Sequence, residues 1–419
     1  MMSRLLMVLG TAVLLGELLA ICLLRYESAA AIQPLTMGAA AVCGMALVQA
    51  AAAGPKGWRW WVTPFGLLHW VPFVAYAAAV TASSRLAPIS AYPRTAEEAW
   101  WFAGLAIATG QIALHARARR FTLAMLIASL AVLMPGVLGP KSAGDLSGRF
   151  LRYSSLLHWG AYPEVGLLGL LGAAAAVAIA LTARTWALRA AAAILAVLFG
   201  IVPFAVNSRG AEVALIAVAG WLVAVVVLRG RRRFVWVLVG VACVVGLGGG
   251  VAWRAQLARM AQANGDAQAT AAVSSRTEDW RVAVRMIAAH PLLGVGAGRY
   301  PLEFARYSSA PPQNHAHNML LHVGAESGLL ALIPFVVIWG RLLWITLRAA
   351  GSGPWASRRD AFVLHAMIAA FFIRAMTDQF LSSVHSSFRT TLLMAIVLGL
   401  AEASVRPGPA PEGDGATQR

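Results

Sequence analysis

Apolar runs of about twenty residues, the length that crosses the hydrocarbon core of a bilayer as a helix, recur from one end of this chain to the other. They lie near 5–24, 32–53, 61–82, 98–115, 121–139, 161–182, 187–206, 211–228, 234–253, 327–347, 361–380 and 387–404. Segments of this kind are stable in lipid as helices, which satisfy their backbone hydrogen bonds internally. Composition agrees: 59% of residues are hydrophobic and 12% charged, against about a quarter charged in a soluble domain. The expected fold is an all-α polytopic membrane protein with about 12 transmembrane helices.

The formal charge of +17 would point to nucleic acid in a soluble protein. Here the basic residues sit mainly in alternate short links: Lys56/Arg59, Arg117/Arg119/Arg120, Arg184/Arg189, Arg229/Arg231/Arg232/Arg233 and Arg348/Arg358/Arg359. Basic residues mark cytoplasmic loops, so both termini are expected inside, and no nucleic-acid partner is expected. The division is then 1–253 as helices one to nine, 254–326 as an outer loop, 327–404 as helices ten to twelve, and 405–419 as a Pro/Gly-rich disordered tail. Cys22, Cys43 and Cys243 lie in apolar runs without CxxC spacing, as small core residues do. The first run lacks a small-residue cleavage site and reads as a retained helix.

The outer loop holds the most polar stretch of the chain, Ser274 to Gly328. Within it, Thr277–Ala289 places Trp280, Val284 and Ile287 at helical spacing, with Arg281 and Arg285 on another face, which predicts a short amphipathic helix at the membrane surface. Arg276 follows two serines, and Arg209 sits in the short link NSRGAE. Arg209 is either a snorkelling arginine or a helix cap, Arg276 either pairs with Glu278 or Asp279, and otherwise each is half of an anion clamp, because a guanidinium beside a helix N-terminus joins a two-pronged donor to free backbone N–H groups. His317 precedes Asn318 and an apolar helical run. It is either a cap or a general base, since imidazole titrates near neutrality. Asp378 has Arg374 one turn before it and either pairs with that arginine or orients the histidine or a substrate hydroxyl. His315 and His317 do not share a helix face at i, i+2, and there is no HExxH or DxD, so no catalytic metal is expected. The run Gly294–Gly298 follows no strand and lacks a GK[ST] ending, which excludes a nucleotide loop.

Taken together, SRGA at 208–211, the run from Arg276 through HPLLGVGAG to Gly298, and HN-x₉-G from His317 to Gly328 resemble the O-antigen ligase and polymerase superfamily. The resemblance covers the topology of the whole chain, and its motifs lie in about 200–330. It implies a GT-C-like bundle in the bacterial inner membrane with a periplasmic active site and no cofactor. The implied donor is undecaprenyl-diphosphate-linked O-antigen, and the implied acceptor is the lipid A–core oligosaccharide. Carried over by position, Arg209 and Arg276 would bind the diphosphate, with His315 and Asn318 as further substrate contacts. His317 would deprotonate the acceptor, and Asp378 would support it. A polymerase, a protein-glycosylating ligase and, from a different class, a lipid-linked oligosaccharide flippase or other transporter remain open. Against transport stands the absence of sequence repeats and of charges midway through several helices.

Overall fold

The computed structural model describes residues 2–23, 32–54, 62–85, 94–132, 162–205, 208–228, 265–351, 355–381 and 387–406. Among them are thirteen helices and no strand. In chain order they are α1 (Met2–Leu23), α2 (Ile32–Ala52), α3 (Pro64–Arg85), α4 (Thr95–Ile112), α5 (Ala116–Val132), α6 (Tyr162–Thr182) and α7 (Trp186–Ala205). Then follow α8 (Arg209–Leu228), α9 (Gly265–Ala289), α10 (Tyr300–Tyr307), α11 (Met319–Ala349), α12 (Trp355–Ala375) and α13 (Ser387–Val405). Every expected crossing but the ninth, 234–253, overlaps one of these helices. That segment lies outside the described residues, as do the Lys56/Arg59 and Arg229–Arg233 clusters, residues 140–160 and the tail after 406.

Among the described residues six helices are able to cross a membrane by length and composition: Gln33–Ala52, Gly66–Arg85, Glu164–Thr182, Trp186–Phe204, Met319–Ala349 and Phe388–Val405. The described residues are all-helical, as a polytopic membrane protein requires. Lipid is as apolar as leucine, so helices associate there through close packing rather than through the hydrophobic effect. Among the described helices α6, α13 and the Asp360–Phe371 stretch of α12 are buried on nearly every side, and they form the middle of the bundle. Along α6, Gly166, Gly169 and Gly172 make one face, and the places where their Cβ atoms would stand are taken by Ser208, Val202 and Phe199. This contact fixes α7 and the start of α8 against the centre. At the perimeter, α2 and α7 are mostly exposed, and Met37, Leu47, Trp186 and Ile194 point outward as lipid-facing residues do.

Two features set up the site. The helix α9 is longer than the Thr277–Ala289 segment expected from periodicity, because it starts at Gly265. The helix α11 starts at Met319, where Asn318 caps it by accepting from the Leu321 N–H at 3.1 Å. It is also broken internally, with Gly328 at φ 66°, ψ −172°. A break in a helix frees backbone groups that must find partners away from water. Here the loop after α9 supplies them. The N–H groups of Val295 and Gly296 donate to the carbonyls of Ala325 and Glu326 at 2.9 and 3.0 Å. In return, the N–H groups of Leu329 and Leu330 donate to the carbonyls of Pro291 and Leu292 at 2.8 and 3.2 Å. The Glu326 carboxylate completes the join by accepting from the N–H groups of Gly298 (2.8 Å) and Tyr300 (3.0 Å), at the entrance to α10. The glycine-rich run HPLLGVGAG is therefore a plug for the broken helix, a structural role that explains both its glycines and Gly328.

Candidate functional site

Four segments converge at one end of the bundle. The non-helical stretch from Ser308 to Asn318 carries His315 and His317. The turn after α12 carries Thr377, Asp378 and Gln379, α9 carries Arg276 and Asp279, and the first turn of α8 carries Gly210. Each is held in place by its neighbours. Asn318 donates to the Met376 carbonyl at 3.2 Å while it caps α11, which ties the histidine stretch to the turn after α12. The Tyr300 hydroxyl donates to the Asp279 carbonyl at 2.8 Å, which ties α9 to α10. A Cβ on Gly210 would stand 2.7 Å from Arg374 Nη1 and 2.8 Å from Thr377 Oγ1. The start of α8 thus lies directly against the Arg374 guanidinium, and a side chain at 210 would displace that guanidinium or Thr377.

His317 is at the centre. Among the described residues it is the single non-glycine position with a left-handed backbone, φ 48°, a conformation that costs an ordinary residue about 1–2 kcal/mol. Its imidazole lies between two carboxylates: Nδ1 is 3.7 Å from Asp378 Oδ1, and Nε2 is 3.9 Å from Asp279 Oδ2. Nδ1 is fully covered, while the side chain as a whole keeps 27% of its surface, so the open side of the ring is the Nε2 side. Asp378 lies beyond the end of α12 and is buried. Its Oδ2 accepts from Arg374 Nη2 at 2.8 Å and its Oδ1 accepts from the Gln379 N–H at 3.0 Å. Burial alone would raise this carboxyl. The Arg374 guanidinium, His317 and His315 outweigh burial and hold it well below the usual carboxylate range. Asp378 thus pairs with Arg374 through one oxygen, and its other oxygen lies 3.7 Å from His317 Nδ1.

Asp279 is 1% exposed. Burial pushes its carboxyl up to about 6, with His317 and Arg276 pulling the other way. Arg276 is half-buried one turn earlier on the same helix, close enough to act on that carboxyl. Glu278, its expected alternative partner, is engaged instead by Arg281 (3.5 Å), Arg285 (3.6 Å) and the Ser308 hydroxyl (2.9 Å). Arg209 opens α8 beside Gly210, and its side chain lies outside the described residues.

The histidines sit in a loop, not on a helix, so their i, i+2 spacing does not keep them apart. Their ring centroids are 4.1 Å from each other, and one ligand-capable atom from each of His315, His317 and Asp378 lies within 4.8 Å of the others. This is the one place among the described residues where three such groups gather. The hydrogen bonding of His315 does not fit a metal. Its Nδ1 accepts from the His317 N–H at 3.2 Å, so the neutral ring carries its proton on Nε2, the atom that faces Asp378. A metal-bound histidine has the reverse arrangement, with a bare ligating nitrogen and an N–H on the other.

Residues 194–336 match the family model described as O-antigen ligase. The match bears out the resemblance to the O-antigen ligase/polymerase superfamily over this segment of the chain. Members of this family are glycosyltransferase-like ligases and polymerases. No curated protein matches the chain significantly. The matched O-antigen ligase segment contains Arg209, Arg276, Asp279, His315, His317, Asn318 and the glycine plug with Gly328, while Arg374 and Asp378 come from beyond it. In the sequence, Asp279 and Arg374 stand out only as possible ion-pair partners. The available signal is their helical spacing to Arg276 and Asp378.

Proposed function

We propose that this protein is an O-antigen ligase. It transfers a polysaccharide from undecaprenyl diphosphate to a sugar hydroxyl of lipid A–core, on the periplasmic face of the inner membrane. The observation that carries the reading is His317, turned by a left-handed backbone so that its covered Nδ1 faces an Arg374-bound Asp378 and its Nε2 faces the open side. The Asp378 carboxylate 3.7 Å from Nδ1 favours the proton on that nitrogen by charge and leaves Nε2 as a base.

The step balances without further reactants. The acceptor O–H proton passes to His317 Nε2 as the oxygen forms a bond to the anomeric carbon. The bond between that carbon and the phosphate oxygen breaks, and undecaprenyl diphosphate departs with its electron pair. Asp378 stabilises the imidazolium, and the proton is later released to water. Arg276, together with Arg209 at the start of α8, neutralises the diphosphate. In a site shielded from bulk water, fixed guanidinium groups stabilise departing phosphate charge. Attack from the face opposite the leaving group inverts the anomeric centre.

The test is purified protein in EDTA, given lipid-linked glycan and lipid A–core, with the new linkage assigned by NMR. Undiminished transfer with inversion is expected. Loss of transfer in EDTA with recovery on adding a divalent metal contradicts the metal-free step, and a retained configuration contradicts single displacement.

A further inference from the structure

We propose that Asp279 and His317 together seat the acceptor sugar, His317 on the attacking hydroxyl and Asp279 on a hydroxyl of the adjacent carbon. This rests on the ligase reading above and adds the chemical feature by which the acceptor is recognised. The gap between His317 Nε2 and Asp279 Oδ2 is 3.9 Å, too long for a hydrogen bond between them. Oδ2 is buried and has no hydrogen-bond partner among the described residues. A buried carboxylate oxygen left unpaired is costly, whereas the backbone carbonyl of the same residue is already engaged by Tyr300. Something that brings hydrogens into this gap restores the balance.

The sign of the charge says what that is. A carboxylate repels a diphosphate, so the donor's phosphates belong with Arg276, one turn away, and Asp279 must meet a neutral, hydrogen-bond-donating group. A single hydroxyl has one proton and cannot give it to both Nε2 and Oδ2. Two neighbouring hydroxyls can, one to each, and adjacent carbons of a sugar ring present them side by side. The seat therefore selects an acceptor with a vicinal diol, in which the base takes the proton of one hydroxyl while its neighbour is held.

The test uses the full-length protein, lipid-linked glycan and a set of lipid A–core acceptors, each lacking one hydroxyl. Asp279→Ala is expected to raise the acceptor KM about 10- to 100-fold and leave the donor KM unchanged. Asp279→Asn, which keeps a neutral acceptor atom, falls between. One deoxy acceptor should show the same loss on the unmodified protein and no further loss on Asp279→Ala. An acceptor KM within two-fold of normal in Asp279→Ala overturns the proposal, as does a loss that multiplies with every deoxy acceptor. If Asp279→Ala loses donor binding as well, the deoxy series on the unmodified protein decides, and the proposal fails when no vicinal hydroxyl matters. Near-normal transfer in His317→Asn would instead overturn the ligase reading beneath it. An inactive His317→Asn with a normal acceptor KM in Asp279→Ala overturns this inference alone.

Discussion

Replacing His317 with asparagine is expected to lower kcat by about 10²–10⁴-fold, the usual contribution of a positioned base, while lipid-linked donor still binds. Asparagine is the informative choice, because it tolerates the left-handed backbone that His317 adopts at φ 48°. Alanine would remove the imidazole and strain the turn together. A drop in kcat with unchanged donor binding, shared by His317→Asn and His317→Ala, separates loss of the base from loss of the fold. Full activity in either variant would remove His317 from the chemistry and leave Asp378 with Arg374 as a purely structural pair.

The other large effect is expected far from any reacting atom. Gly328→Ala should abolish transfer and lower the melting temperature in detergent. A Cβ at Gly328 would overlap the backbone of Leu292 and Leu293, and the residue has φ +66°. The left-handed penalty alone is about 1–2 kcal/mol, and the overlap with backbone cannot be relieved by turning a side chain. Moving the 291–296 loop breaks the four hydrogen bonds that heal α11 and releases the Glu326 grip on Gly298 and Tyr300. Tyr300 in turn holds α9 at Asp279, so the disturbance reaches the His317 side of the site. Gly340→Ala, in the same helix with open space where its Cβ would stand, is the control, and it should melt at or above the normal temperature. Equal behaviour of the two variants would mean that the plug is dispensable.

Much of the helix layout could be read from hydropathy, because a run of apolar residues long enough for a bilayer admits few other structures. Two departures have physical causes. Periodicity placed the start of the outer-loop helix at Thr277, but helix propensity extends it back through the Ala-rich GDAQATAAVSS stretch to Gly265, where no apolar stripe marks it. The break in α11 is hidden because its repair comes from residues thirty or more positions earlier, and no local pattern reports such a partner. The site itself was half legible. Polar residues near lipid single out Arg276, His317 and Asp378, whereas Asp279 and Arg374 gain meaning only through distances to His317 and Asp378. The expectation of no metal rested on helical spacing. His315 and His317 are not helical, and the tautomer of His315 is what now bears on the question.

The central claim is that this site joins a lipid-linked glycan to lipid A–core. The most direct measurement is the fate of the glycan when the purified protein is given undecaprenyl-diphosphate-linked glycan and lipid A–core together, with products separated and identified by mass. The account predicts glycan attached to lipid A–core and released undecaprenyl diphosphate in equal amounts. A lengthened lipid-linked glycan, with lipid A–core unchanged, would contradict it and make the protein a polymerase.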